Sequence, residues 1–350
     1  MTLLPWILSL CNASLTLAYF PKAWRRAKVI ALWKPGKVAY DTPRAYRPIS
    51  LLSSVGKIVE TLMNYRIMRR LERQHALTPF QFGFRAGKEV LDACTQLVHD
   101  IVAALRRREV VQGVMLDIKS AYDTVWREGL VHKLVGIGLD PYIVAWLQSF
   151  LTDRYCRLEI GDATIEVWPE CGLPQGSPLS CTLFIIYIDD LFWTLHRIRQ
   201  LRSQGFADDI SLWASTESRS GETIPCVREG LRVVEEWSLR WRIRFCPEKC
   251  MCICFRGTTI RVRKEFVGHL YGEAITHVRY SKYLGVCFDE HLTWRHHLAE
   301  VSHRARARLW ELRRTISSDW GLCPSLFMRI VRGAILPGLF FGAPVWASVL

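Results

Sequence analysis

SQGFADDISLWAS (residues 203–215) is the stretch that decides the fold. Gly205 precedes a compact Phe-Ala-Asp-Asp, and Ile210 and Leu212 then recur at the two-residue period of a strand. The pattern is a strand, a tight turn and a second strand, with Asp208 and Asp209 at the tip. Working outward, the apolar run 110–116 ends at Asp117 and gives way to KSAYDTVWREGLVHKLVGIGL (119–139), which turns helical. Asp117 therefore stands where a buried strand emerges, its backbone anchored and its carboxylate exposed. If that strand and the 206–212 hairpin share one antiparallel sheet, the carboxylates converge on one edge. Hard oxygen donors so arranged suit Mg²⁺, and the expected fold class is α+β.

The chain has 350 residues, 47 Lys+Arg against 33 Asp+Glu, a formal charge of +14 and half its residues in the hydrophobic set. That length allows about two or three folding units. The composition excludes a peptide scaffold or extended disorder, and the basic excess points to a polyanion such as nucleic acid or an acidic membrane surface. Twelve cysteines without a complete Cys-x2-Cys pair fit a reduced, intracellular environment rather than a disulfide framework or zinc ribbon. Cys250, Cys252 and Cys254 recur at every second residue and, with Cys246, read as core. The apolar opening MTLLPWILSLCNASLTLAYF lacks a basic leader region and reads as a helix. No membrane span is expected, because LFIIYIDDLFW carries Asp189 and Asp190.

Further elements follow from periodicity. KAWRRAKVIALWKPGK (22–37) is a basic entry, a short strand and a Pro-Gly turn. Residues 56–73 suit an amphipathic helix with Ile58, Leu62 and Ile67 on its apolar face and Arg69, Arg70 and Arg73 exposed. Helices are also predicted over 90–105, 141–151, 179–195 and 227–241, with a hairpin at CRLEI and ATIEV. RIRF, CMCICF, IRVRKEFVGHLYG (260–272) and YSKYLGVCFD supply short strands, and the basic tail from 292 holds three helices. Trp126, Trp146 and Trp241 sit in apolar patterns and read as packing.

The ordered islands YRPISLL (46–52), QFGFRAGKE (81–89), LDIKSAYDTV (116–125), LPQGSPLS (173–180), FADD (206–209), CPEKC (246–250) and YLG (283–285) together closely resemble the reverse transcriptase of non-LTR, LINE-type retrotransposons, most like the jockey-like insect elements. The match covers nearly the entire chain. The resemblance implies a right hand: fingers over 1–105, an antiparallel-sheet palm including the primer grip over 106–290, and a mostly helical thumb over 291–350. It implies an RNA-directed DNA polymerase that adds dNTPs to a DNA 3′ hydroxyl by two-metal nucleotidyl transfer, during target-primed synthesis. Asp117, Asp208 and Asp209 would hold two Mg²⁺ ions, with Mn²⁺ as a substitute, and Lys249 would approach the triphosphate and protonate departing pyrophosphate. Arg47 is the implied triphosphate clamp, and Lys34 and Lys37 face either triphosphate or template phosphates. Tyr122 is the implied steric gate beneath the incoming sugar, while Gln175 and Gly176 position the nascent pair. Arg85 either meets the template backbone or forms a structural salt bridge. Phe206 lies on the primer side, where related sequences carry Tyr, and Cys246 stands where they carry Asn. Tyr283, Leu284 and Gly285 resemble the primer-grip turn.

A rival tetrapeptide, Tyr187-Ile188-Asp189-Asp190, also resembles a polymerase signature, but its flanks continue a helical apolar pattern without a turn former. Those two acids read as core hydrogen bonding, helix capping or an ion pair. Other readings are an intron maturase, a domesticated reverse transcriptase, an inactive retroelement-derived nucleic-acid-binding protein, and a generic basic RNA-binding protein. The last leaves the carboxylates unexplained. His291, His296 and His297 form no zinc pattern. Expected partners are template RNA, a DNA primer or nicked target DNA, and dNTPs, with no membrane. Expected localisation is the nucleus for synthesis and the cytoplasm for ribonucleoprotein assembly. The length suits a polymerase hand without the endonuclease and cysteine-histidine knuckle of family polyproteins, so a segment of a larger element is expected.

Overall fold

The computed structural model describes residues 3–36, 39–160, 163–217, 223–260, 266–315 and 321–347. Lys37 and residues 261–265 of the expected 260–272 strand lie outside them. Along the chain come α1 (Leu4–Thr16), β1 (Arg26–Trp33), β2 (Tyr46–Leu51), α2 (Ser54–Arg73), α3 (Val90–Arg106), β3 (Glu109–Leu116), α4 (Arg127–Gly136), α5 (Pro141–Leu151), β4 (Tyr155–Ile160), β5 (Ala163–Val167) and α6 (Pro178–Leu195). Next are β6 (Arg202–Phe206), β7 (Asp209–Glu217), α7 (Thr223–Arg240), β8 (Met251–Phe255), β9 (His269–Leu270), β10 (Glu273–Ala274), β11 (Thr276–His277), β12 (Tyr280–Tyr283), β13 (Val286–Asp289) and α8 (Arg295–Arg313), followed by shorter helical turns. Two compact units form, one from residues 1–86, 118–194 and 233–245, the other from 87–117, 195–232 and 246–350.

The first unit packs helices beside a four-stranded sheet of order β2-β1-β4-β5. Phe20 anchors an aromatic cluster, meeting Trp146 and Phe150 edge-on at 5.4 and 5.2 Å between ring centres. Helix α2 is capped by Ser53, whose side chain accepts from the Gly56 amide. Its buried stripe is Val59, Met63, Ile67 and Leu71, at four-residue spacing. The expected face was therefore one residue out of phase: Ile58 and Leu62 are 42% and 45% exposed. Two apolar series cross at Ile67, and only the one that continues to Leu71 stays over the core.

Helix α6 is long and apolar enough to cross a membrane by length and composition, and most of it is buried inside the protein. Its two acids are structural. Asp189, 5% exposed, accepts from the Thr78 amide at 2.8 Å and from Trp193 Nε1 at 3.0 Å. Asp190 accepts from Lys133 Nζ at 2.6 Å and Trp237 Nε1 at 2.9 Å. Burial pushes the Asp189 carboxyl up to about 6, against the hydrogen bonds that favour its charge.

The second unit is a five-stranded sheet, β11-β8-β3-β7-β6, antiparallel except at β11. Cys94, Leu97, Ile101 and Ala104 of α3 share a core with Val111, Met115, Ile253, Phe255, Phe288 and Trp294. Cys246, Cys250, Cys252 and Cys254 are all buried, as core residues. Asp289 starts α8 by accepting from the amides of His291, Thr293 and Trp294.

Two outcomes test this packing. Met63→Ala is expected to cost about 2–5 kcal/mol in denaturant unfolding, and Leu62→Ala to stay within about 0.5 kcal/mol; the reverse ranking would restore the rejected phase. The raised carboxyl of Asp189 adds stability that is fully present below its unfolded pKa and lost as pH rises through about 6. The stability of wild type relative to Asp189→Asn is expected to rise, by on the order of 2 kcal/mol, as pH falls from 7 to 4.

Candidate active site

The second unit gathers the acids. β3 and β7 pair antiparallel with Leu116 opposite Ile210, so one further step along the ladder sets Asp117 beside Asp209. β6 and β7 close with Phe206 opposite Asp209, leaving Ala207 and Asp208 as a two-residue turn. Ala207 takes φ +56, a left-handed conformation unusual for a residue with a side chain. The sheet register and this turn fix where the carboxylates emerge.

The three carboxylates share one repulsive field. Burial, then Asp208 and Asp117, push the Asp209 carboxyl up to about 6. Solvent reaches Asp209, yet enough protein surrounds it for burial to dominate. Burial raises Asp208 too, with Asp117 adding to the shift. Lys249 Nζ lies 3.0 Å from Asp117 Oδ2, and that bond raises the lysine pKa. The CPEKC segment also holds the Asp117 backbone: its carbonyl accepts from the Cys246 amide at 2.9 Å and its amide donates to Cys250 Sγ at 3.4 Å. Sequence reasoning treated both cysteines as plain core; their placement flanking Lys249 was the available signal.

A divalent cation fits this donor set, which is oxygen-only and gathers carboxylates whose mutual repulsion a bound cation would relieve. Among the described residues no three Asp, Glu, His or Cys side chains converge tightly enough to enclose an ion as they stand.

The first unit gathers a second group of expected residues around LPQGSP. The Leu173 amide donates to the Tyr122 carbonyl at 2.7 Å, and the Ser50 amide donates to the Gln175 carbonyl at 2.7 Å. Gly176 takes φ +116, and a Cβ there would lie 2.7 Å from the Ser50 carbonyl oxygen, so only glycine fits. Gln175 Nε2 donates to Asp123 Oδ1 at 2.9 Å. Burial raises the Asp123 carboxyl, with Gln175 and the charge of Lys34 opposing the shift. Ser177 donates to buried Glu60, whose carboxyl burial also raises. Tyr122 is half-buried, its ring 4.9 Å from that of Phe184. Arg47 is exposed on β2, opposite Leu32. Asp123 and Glu60, which the sequence reading gave no site role, are what tie this loop down.

The Arg85 and Tyr283 side chains are both held by partners within the protein. Arg85, 7% exposed at its side chain, forks onto Glu72 with two 2.6 Å bonds and also donates to the Thr78 carbonyl. Of its two readings the structure shows the salt bridge. Tyr283 is 3% exposed; its hydroxyl accepts from Gln204 Nε2 and Ser211 Oγ, both at 3.4 Å. It packs beneath the β6–β7 hairpin. Leu284 and Gly285, at φ +49 and +88, form the two-residue turn between β12 and β13, and Phe206 is half-buried.

Comparison with known proteins follows the same residues. A family model described as reverse transcriptase (RNA-dependent DNA polymerase) matches residues 34–288. The chain is 30% identical over 346 residues to the RNA-directed DNA polymerase from mobile element jockey of Drosophila funebris, covering 97% of this chain and 37% of that protein. It is 30% identical over 339 residues to the probable RNA-directed DNA polymerase from transposon X-element of Drosophila melanogaster, covering 96% and 36%. The chain thus spans little more than a third of the length of these curated relatives. Among solved structures, apo telomerase from Candida tropicalis superimposes with a TM-score of 0.54 at 12% identity, covering 100% of this chain and 64% of that one. That likeness shows the fold, the right hand of polymerases. Family members generally use divalent metal ions. By the breadth of the family match and the order of its motifs, the chain belongs to the reverse transcriptase (RNA-dependent DNA polymerase) family, in the company of non-LTR retrotransposons.

Proposed function

We propose that this chain is the polymerase segment of a non-LTR retrotransposon protein and extends a DNA 3′ end with dNTPs on an RNA template. The observation that carries this is the β3–β7 register, which sets Asp117 beside the Asp208-Asp209 turn. In this reading Asp117, Asp208 and Asp209 hold two Mg²⁺ ions, Mn²⁺ being able to replace them. Bound there, the ions supply Lewis-acid activation of the primer hydroxyl and neutralise the triphosphate. The primer 3′ oxygen forms a bond to the α-phosphorus as the bond to the bridging oxygen breaks, releasing pyrophosphate.

The remaining roles belong to side chains. Lys249, whose ammonium lies 3.0 Å from Asp117, is placed beside the reacting phosphates to give a proton to departing pyrophosphate. Arg47 offers a planar fork to triphosphate oxygens, and Lys34 adds charge on the same strand pair. Tyr122 excludes a ribose 2′ hydroxyl, and the LPQGSP loop, pinned at Gln175 and Gly176, bounds the nascent base pair. Leu284 and Gly285 bring a tight turn to the primer, and Phe206, lacking a phenolic hydroxyl, meets it by packing alone. The 3′ end is that of a nicked target, which places synthesis in the nucleus. The inactive alternative has no observation in its favour, since all three carboxylates are intact.

On primed RNA with Mg²⁺ and dNTPs, Asp208→Asn is expected to lower extension by about a thousandfold or more while duplex binding persists, and Asp189→Asn to change it by less than about threefold. Near-normal extension by folded Asp208→Asn would sink the assignment. Lys249→Met is expected to lower kcat by about 10²–10³-fold with a smaller change in KM for dNTP; an effect confined to KM would leave Lys249 as a binding group only.

A further inference from the structure

The exposed side of α2 carries more positive charge than the proposed reaction uses. Arg66, Arg69, Arg70 and Arg73 lie three and four residues apart, so each is a neighbour of others on one helix face. Arg70 donates to the Gly138 carbonyl at 2.9 Å. Arg66, Arg69 and Arg73 have no hydrogen-bond or ion-pair partner among the described residues. The acids of this helix are engaged elsewhere, Glu60 with Ser177 and Glu72 with Arg85. Like charges at these spacings repel one another. The helix dipole offsets some of that at Arg70 and Arg73, in the last turn, and none at Arg66.

The surroundings of this stripe are suited to a strand of nucleic acid. Tyr65, 64% exposed, borders Arg66 and Arg69, and with Arg70, Arg73 and Gln74 they line a shallow recess of about 360 Å³. From Arg66 to Arg73 the helix rises about 10 Å, the length of roughly three phosphates of one strand. Guanidinium groups tracking a backbone beside an aromatic ring open to a base is the chemistry of single-strand binding. We infer that the Tyr65–Arg73 face of α2 is a docking surface for single-stranded RNA, gripping phosphates with Arg66, Arg69 and Arg73 and stacking a base on Tyr65. That the strand is RNA rests on the reading of this chain as an RNA-templated polymerase, which must hold a template longer than its reaction site. An acidic protein segment would pair with the arginines yet leave the exposed Tyr65 ring unused.

The test is anisotropy of a labelled single-stranded RNA on the full chain carrying Asp208→Asn, without primer or dNTPs, from 50 to 300 mM salt. Substituting Arg66, Arg69 and Arg73 together by Gln is expected to weaken binding about 10–100-fold at 150 mM and to reduce the slope of log affinity against log salt by about 2. Tyr65→Ala is expected to weaken binding about 10-fold with the slope unchanged. Unchanged affinity and slope in the triple variant, with an unaltered thermal midpoint, would overturn the proposal. So would stripe-dependent binding tenfold tighter to the matching DNA strand, or displacement of RNA by polyglutamate at lower concentration than by competitor RNA. Because the assay needs no synthesis, failed primer extension by the wild type would count against the polymerase reading alone.

Discussion

The pairing of β3 with β7 is the constraint on which the proposed chemistry depends. Eight consecutive residue pairs, from Glu109 opposite Glu217 to Leu116 opposite Ile210, leave no freedom at the end of the ladder. A slip of one residue would turn every side chain of one strand to the other face and separate Asp117 from its neighbours. The sheet thus holds like charges together, and burial first, with their repulsion adding to it, raises the carboxyls of Asp208 and Asp209. β8, on the far side of β3, extends the support: the residues just before it hold Asp117 by backbone, thiol and ammonium.

In the first unit a comparable rigidity comes from backbone, not charge. The LPQGSP loop is bound at Tyr122 on one side and Ser50 on the other, and Gly176 admits the Ser50 carbonyl where any Cβ would collide. Gln175 holds Asp123, and Ser177 holds a carboxyl buried in α2. A motif of six residues, weak evidence as a string, is structurally the meeting point of a strand, a turn and a helix.

Much of this was legible in the sequence because it rests on local period. The alternation after Asp209 and the glycine before Phe206 announce a hairpin, and the unbroken apolar flanks of Asp189-Asp190 announce a helix. Legibility failed where two solutions shared a residue: Ile67 belongs to both apolar series of α2, and only packing beyond the helix selects Val59 and Met63. It failed again where a partner is remote in sequence. Nothing beside Arg85 announces that Glu72 closes its fork, and nothing beside Tyr283 announces that Gln204 and Ser211 donate to its hydroxyl in the core. Each compact unit is assembled from three separate stretches of chain, an arrangement to which periodicity is blind.

The proposed chemistry needs one metal centre built on Asp117 and the Asp208-Asp209 turn. Anomalous diffraction from crystals grown with Mn²⁺ tests it most directly. A peak is expected within bonding distance, about 2.0–2.3 Å, of carboxylate oxygens of both Asp117 and Asp208. A peak on Asp189 or Asp190, with none at the β6–β7 turn, would contradict it.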